Sequence, residues 1–405
     1  MRSCIPVILI LLLFLVGCGE PPEEDNPYRQ EQIPWPSLAD SPWPIFRHDP
    51  QGTGRSNYAG PQAGELFLEF NDSFWLVSSP VVGPNEIVYF TSSGDTSYLY
   101  AINSRGEIQW KSILSIQTGY FENWSTPTLG SNGVIYVTSS KSRDEKVHAI
   151  RTDGTELWTY PVDVNTSIAL DREGNLYFIT HEDPKKLISL TPEGNLRWQL
   201  YVPDNFLGTS QPTVFSPDGS TLYVSGLDSL YAVTTAGEIE WGYWTGRGNE
   251  YICIDNDGNL YFYNQGDSSI TALTNNGDVR WRMHIKDIGL VRLYGAVAPT
   301  LDLAGNLYFT GYTSNGSVLI AVDIEGNLRW IIAATVSTHL VSDSDGYVYF
   351  GGGKDVFRVS PEGEIVWQTN VPSVGIHLDY CPAIGGSNTI YIGDENPHLQ
   401  IIGIE

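Results

Sequence analysis

Cys253-Ile254-Asp255-Asn256-Asp257-Gly258-Asn259-Leu260-Tyr261-Phe262-Tyr263, then Ser269-Ile270-Thr271-Ala272-Leu273-Thr274, then Asn276-Gly277-Asp278-Val279-Arg280-Trp281-Arg282-Met283, is the stretch that decides the fold. It breaks into four short runs, Glu250–Asp255, Asn259–Tyr263, Ser269–Thr274 and Asp278–Met283. Asp257-Gly258 and Asn276-Gly277 punctuate the first and last pairs, and such dipeptides admit the positive φ that tight hairpins need. The runs are rich in β-branched and aromatic residues, and none holds a helical period beyond one turn. Four antiparallel strands are predicted.

The same unit recurs along the chain. Gly is followed four residues later by Trp at Gly106…Trp110, Gly154…Trp158, Gly194…Trp198, Gly237…Trp241, Gly277…Trp281, Gly326…Trp330 and Gly363…Trp367. The six intervals from Trp110 to Trp367 span 257 residues, a mean near 43. Tyr89, Tyr136, Tyr177, Tyr223, Tyr261, Tyr308, Tyr349 and Tyr391 give eight copies with the same spacing. Four strands per 43 residues is the signature of a propeller blade. One blade cannot bury both of its faces, so neighbours must stack in a ring. The recurrent Trp of the outermost strand is expected to wedge between blades.

The last unit, around Tyr391, runs out at Glu405 after three strands. Gly64-Glu65-Leu66-Phe67-Leu68 keeps the Gly-plus-four spacing with Leu for Trp, so a strand near 64–70 is expected to complete the last blade. Closure of this kind removes two exposed sheet edges. The expected fold is therefore all-β: an eight-bladed β-propeller of four-stranded antiparallel blades over residues 43–405.

The chain has 405 residues with 22 Lys+Arg against 47 Asp+Glu, a net charge of −25. An acid excess without a basic patch argues against nucleic acid and against electrostatic binding to anionic lipid. At 41% hydrophobic and 12% aromatic residues, the chain is too apolar to be disordered.

Residues 1–17 read as an export signal, with Arg2 ahead of the 12-residue apolar run Ile5–Val16. That run is shorter than the ~20 residues of a membrane span. Leu15-Val16-Gly17-Cys18 resembles the bacterial lipobox, which implies cleavage before Cys18 and a lipid on its thiol. Gly19, rather than Asp, after the cysteine then implies outer-membrane sorting. Residues 18–42, rich in Pro and acid (Pro21, Pro22, Glu23, Glu24, Asp25, Pro34, Pro36 and Pro42), are expected to be an extended tether. Cys253 and Cys381 remain, three repeats apart, and are expected to be separate core thiols.

The repeat resembles the pyrroloquinoline-quinone-like (PQQ-like) propeller repeat: a Tyr strand, an Ala-(Ile/Leu/Val) strand, then Gly-x-x-x-Trp. Tyr100-Ala101-Ile102 through Trp110, Tyr231-Ala232-Val233 through Trp241, and Ile320-Ala321-Val322 through Trp330 carry it. Trp43-Pro44-Ile45-Phe46-Arg47-His48-Asp49, with Thr53-Gly54, is similar to the opening segment of such propellers. With the lipobox and the length, the chain resembles the BamB-type outer-membrane assembly lipoproteins. That resemblance implies a scaffold that binds other proteins through loops of one face, facing the periplasm. Quinoprotein dehydrogenases share the architecture but hold a quinone between a Trp and adjacent cysteines, beside calcium. This chain has no vicinal Cys pair and no Cys-x-x-Cys-His.

The hydrolase, zinc-protease, phosphate-loop and dinucleotide motifs are missing, and the seven His lack ligand spacing. No cofactor, metal or catalytic residue is expected. Asp255-Asn256-Asp257-Gly258 and Asp343-Ser344-Asp345-Gly346 space carboxylates as calcium loops do but lack the late bidentate Glu, so hairpin turns are expected there. Connections between blades vary most, and variable loops on a rigid ring are where binding concentrates. Tyr120, Trp124, Trp244, Arg247, Arg292, Tyr294, His377 and Tyr380 are the expected contacts, being residue types that dominate binding hot spots. The function expected is a monomeric, non-catalytic, lipid-anchored scaffold with an envelope protein partner, a β-barrel assembly complex being one. The alternatives are a small-ligand or glycan binder at the channel mouth and, less favoured, a quinoprotein-type oxidoreductase.

Overall fold

The turn-punctuated stretch of the fifth unit folds as strands Cys253–Ile254, Leu260–Asn264, Ser269–Leu273 and Val279–His284, paired antiparallel in that order. The computed structural model describes residues 26–403 except 72–74, 77, 117–124, 140–144, 165, 202–212, 247–250, 294–296, 372–379 and 394–397. Eight such sheets make an eight-bladed propeller, and no α-helix occurs among the described residues. Blades are numbered here in chain order, the first opening with strand Val81–Val82. Its sheet and that of the sixth blade carry an added two-residue strand, Trp75–Leu76 and Arg292–Leu293.

The second and third strands are buried along their whole length in several blades, as in Leu176–Ile179 and Leu187–Leu190. Outermost strands alternate, as in Ile365–Asn370. Sheet faces covered by neighbouring blades explain the near-continuous apolar runs inside and the mixed pattern outside. The eighth blade closes as expected: strand Leu66–Asn71 pairs antiparallel with His398–Gly403, the third strand of that blade and the last described in the chain.

One irregularity repeats. Ala272 pairs with Trp281 but Leu273 with Val279, so Arg280 bulges out of the ladder. The same register shift occurs beside Trp110, Trp158, Trp198, Trp241, Trp330 and Trp367, and beside Leu68 in the closing strand. A bulge re-aims the side chains that follow it. Here it turns each indole towards the next blade.

Residues 1–25, with the expected export signal, Cys18 and the first part of the expected tether, lie outside the described residues, and residues 26–42 are not free of the ring. From Asn26 the chain lies against the turns that join first to second strands. Asn26 Nδ2 donates to Ala304 O at 2.9 Å and the Gln30 amide to Leu303 O at 2.8 Å, both in the sixth blade. The Asn256 amide of the fifth blade donates to Gln30 Oε1 at 2.9 Å. Trp35 Nε1 donates to Leu170 O at 2.9 Å in the third, Ala39 N to Leu129 O at 2.8 Å in the second, and Trp43 exchanges both backbone bonds with Val82 in the first. Trp35 and Leu38 are buried. Two apolar anchors among the prolines, with edge carbonyls to bond, are enough to hold this stretch as a strap.

Candidate functional site

Beyond Trp43 the chain turns into the channel and bonds one innermost strand after another. The amides of Leu129, Phe215, Ile254, Leu301 and Ser342 donate to the carbonyls of Pro44, Pro50, Gln51, Thr53 and Gly54, at 2.8 to 3.0 Å. Five blades are thereby joined by one segment. The turn that allows it sits at Arg47 and His48, both left-handed at φ 63° and 72°. Non-glycine residues adopt that region only where the surroundings over-determine it.

Arg47 is fully buried. Its guanidinium donates to Gly52 O at 3.0 and 3.1 Å, to Leu340 O at 3.0 Å, to Thr300 Oγ1 at 3.2 Å and to Pro299 O. Carbonyl dipoles from two blades and the leader thus replace water around the charge. His339 packs beside it, 5.3 Å from the Phe46 ring and 5.0 Å from Tyr251. Its Nδ1 accepts the Ala298 amide at 3.1 Å, which puts the proton on Nε2. Burial, then the Arg47 charge, hold its pKa well below the ordinary imidazole value. Cys253 and Cys381 are buried free thiols; burial pushes them up to about 12 and about 11 although Arg47 pulls both down. Protonated at neutral pH, they are poor nucleophiles.

Four aspartates organise the strap side of the ring. Asp171, Asp255, Asp302 and Asp343 each accept two backbone amides of their own turn and the hydroxyl of the repeat Tyr six residues on, at 2.8 Å in every case. The two calcium-like loops are therefore hairpin turns, as expected. The described residues hold no group of three or more His, Cys, Asp or Glu placed to ligate a metal.

Ser139, His148 and Glu156 of the second blade line up with Oγ···Nε2 at 3.0 Å and Nδ1···Oε2 at 2.9 Å. That is the hydrogen-bond order of a hydrolase triad. The Ser139 hydroxyl is only 1% exposed and also accepts the Lys146 amide at 3.1 Å, so no substrate carbonyl can reach it in this fold. The arrangement ties strands together.

A cavity of about 600 Å³ lies between the strap and the first two blades, lined by Trp35, Leu38, Pro44, His48, Asp49 and Tyr89 among others. It opens on the strap side, whereas a ligand site was expected at the channel mouth on the loop side.

Of the eight expected contact residues, Tyr120, Trp124, Arg247, Tyr294 and His377 lie outside the described residues. Trp244 is 60% exposed and its ring edge closes on Gly266 of the next blade. Arg292 is exposed, with its guanidinium 4.3 Å from the Tyr312 ring. Tyr380 corrects the expectation: it is buried, and its carbonyl accepts the His339 amide at 2.9 Å. It packs in the core cluster that also holds Phe46, Cys381 and Ala383. The seven repeat tryptophans each donate Nε1 to a carbonyl of the adjoining blade or, for Trp367, to Pro61 O. Arg47 and His339 escaped the sequence reading. The signal for Arg47 was a cation inside an otherwise apolar opening motif, Ile45-Phe46-Arg47.

Fold, bulged Trp repeat and channel-filling leader define a PQQ-like propeller. The sequence matches the family described as outer membrane protein assembly factor BamB over residues 95–214 and 189–394, more than half its length, and the chain belongs to that family. No protein of curated function matches it in sequence. Among solved structures it is similar to BamB from Moraxella catarrhalis, with 13% identity, TM-score 0.58, 84% of this chain and 100% of the other covered. It is also similar to Sqt1 from Saccharomyces cerevisiae, with 11% identity, TM-score 0.63, 84% and 99% covered. Identities this low show the fold alone. No helix among the described residues is long and apolar enough to cross a membrane.

Proposed function

We propose that this chain is a monomeric, non-catalytic scaffold, anchored by a lipid on Cys18 and facing the periplasm, that binds an envelope protein in outer-membrane protein assembly. The observation that carries the reading is the leader-filled channel in a member of the BamB family. Among the described residues the channel is occupied by the protein's own chain, with Arg47 held by carbonyls, which speaks against through-passage of a substrate. What the ring offers instead is a rigid mount for the loops opposite the strap, and Trp244 and Arg292 are the exposed members of the expected contact set among the described residues. The partner envisaged is a β-barrel insertase complex; nucleic acid and a cofactor have no part in it.

The test is an affinity pulldown of tagged, lipidated protein from gently solubilised membranes, read by mass spectrometry. Recovery of a β-barrel insertase is the expected result. Recovery of nothing above a Cys18→Ala control would sink it. A second reading, a small-ligand or glycan binder, is favoured by one observation only, the cavity flanked by Trp35 and Tyr89. Aromatic walls suit sugar rings, and titration with oligosaccharides followed by Trp fluorescence tests it.

A further inference from the structure

In an antiparallel blade the turns joining first to second and third to fourth strands open on one side of the ring. The second-to-third turns and the connections between blades open on the other. The strap contacts described above, at Leu129, Leu170, Asn256, Leu303 and Ala304, are all on the first side. We infer that the strap orients the propeller on the membrane, holding the strap side towards the bilayer with the fifth and sixth blades nearest, and the loop side away from it. This deepens the proposed function and rests on its Cys18 anchor.

The argument is one of chain length. A tether free from residue 19 to 42 would let the ring tumble, since some two dozen flexible residues reach about 25–30 Å in any direction. Asn26, however, is already bonded to the Ala304 carbonyl, and Gln30 to Leu303 and Asn256. Eight residue steps separate Cys18 from Asn26, at most ~27 Å fully extended and about 15 Å as a flexible coil. The loop side lies a further strand length away, about 17–20 Å. As a coil the chain falls short of that distance, and only near-full extension past the ring's own rim, at a cost in chain entropy, would turn that side towards the bilayer. The exit point is also off-centre, which favours a tilt with the fifth and sixth blades lowest. Charge does not supply this orientation, because the acid excess of the chain gives it no attraction to anionic headgroups.

The loop side would then present the partner-binding connections to proteins standing off the membrane. The occupant of the strap side is the lipid surface to which the chain is tied.

The experiment uses full-length, membrane-purified protein with one introduced surface cysteine, Asn276→Cys on the strap side of the fifth blade or Ser314→Cys on the loop side of the sixth. Both positions are exposed, whereas Cys253 and Cys381 are buried and stay unlabelled. Each variant carries a donor dye and is reconstituted in phosphatidylcholine vesicles bearing a headgroup-linked acceptor. Energy transfer severalfold higher from position 276 than from 314 is expected. A Gly/Ser insert of about twenty residues between Glu24 and Asp25 should erase the difference without touching the fold. Equal or reversed transfer from protein whose mass shows an acylated Cys18 overturns the orientation and leaves the anchor standing. A difference that survives the insert overturns the strap as its cause. An unacylated Cys18 overturns the anchor, and the orientation with it.

Discussion

The indole of Trp198 lies against Gly237 of the following blade, so closely that a Cβ built on Gly237 would sit 2.8 Å from the ring. The same indole donates Nε1 to Thr235 O at 3.0 Å. The pairing repeats around the ring: Trp110 on Gly154, Trp158 on Gly194, Trp241 on Gly277, Trp281 on Gly326, Trp330 on Gly363 and Trp367 on Gly64. In the closing strand Leu68 takes the place of Trp against Gly106. The Gly-x-x-x-Trp motif therefore serves two interfaces at once, its Gly receiving the ring behind and its Trp reaching the blade ahead.

Gly237→Ala should destabilise the protein by about 2–4 kcal/mol. The residue stands at φ +89°, where an L side chain alone costs roughly 1–2 kcal/mol, and its new methyl must displace the indole. Trp198→Ala should cost about 2–3 kcal/mol, below the roughly 3–5 of a fully buried aromatic because this one is half-buried. Trp198→Phe, keeping the ring but losing the hydrogen bond, should cost about 1 kcal/mol more than a neutral change. Urea midpoints check all three. A Gly237→Ala protein as stable as the parent would show that the blades are not held this closely.

Arg47→Met should cost about 3 kcal/mol or more. It takes the guanidinium donor from the carbonyls of Gly52 and Pro299 and leaves Leu340 O with the Thr300 hydroxyl alone, and a buried carbonyl so orphaned costs about 1–3 kcal/mol before relaxation. Arg47→Lys keeps the charge but has no planar fork to serve carbonyls from two blades, so it should fall between the two. Thermal unfolding distinguishes them. Met as stable as Arg would mean that the leader does not depend on its guanidinium.

How much of this was legible in the sequence follows from where the physics is local. Blade number, strand order and the Leu66–Asn71 closure rest on turn dipeptides and a fixed period, which are local and repeated eight times. Arg47 was opaque because its partners on the ring lie 252 to 293 residues away and its nearby one is the Gly52 carbonyl; backbone carbonyls are acceptors that no side-chain pattern advertises. Tyr380 was misplaced for a related reason. An aromatic in a blade connection faces solvent or channel according to the path of the chain, not its type. Composition misled at residues 26–42, where proline and acid read as a tether; Trp35 and Leu38 were the contrary signal, both finding an apolar wall on the ring and Trp35 a carbonyl as well.

The strap makes a kinetic prediction. Peptide bonds between Ile33 and Ser56 should resist thermolysin on the timescale of global unfolding, because cleavage needs a locally extended, accessible chain. Trp35→Ala should release the first part, with cuts appearing between residues 33 and 43 while the channel segment from Trp43 to Ser56 stays protected. Mass spectrometry of the fragments reads this out. Rapid cleavage of the parent protein within 33–43 would restore the tether reading.

His339 makes the fold acid-sensitive in a defined window. Burial and Arg47 keep it neutral in the folded protein well below the imidazole's ordinary 6.5, whereas the unfolded chain binds its proton at about that pH. Between the two values the unfolded state therefore holds more protons, and stability rises with pH. A drop from pH 7.5 to 5.5 should cost the parent about 1.4 kcal/mol more than it costs His339→Gln. The variant's amide can still accept from the Ala298 amide, and groups titrating elsewhere are common to both proteins and cancel in the difference. Chemical denaturation at the two pH values measures it. Parallel losses in parent and variant would mean that the folded protein takes up the proton on His339, and that the channel beside Phe46, Tyr251 and Arg47 admits enough water to solvate it.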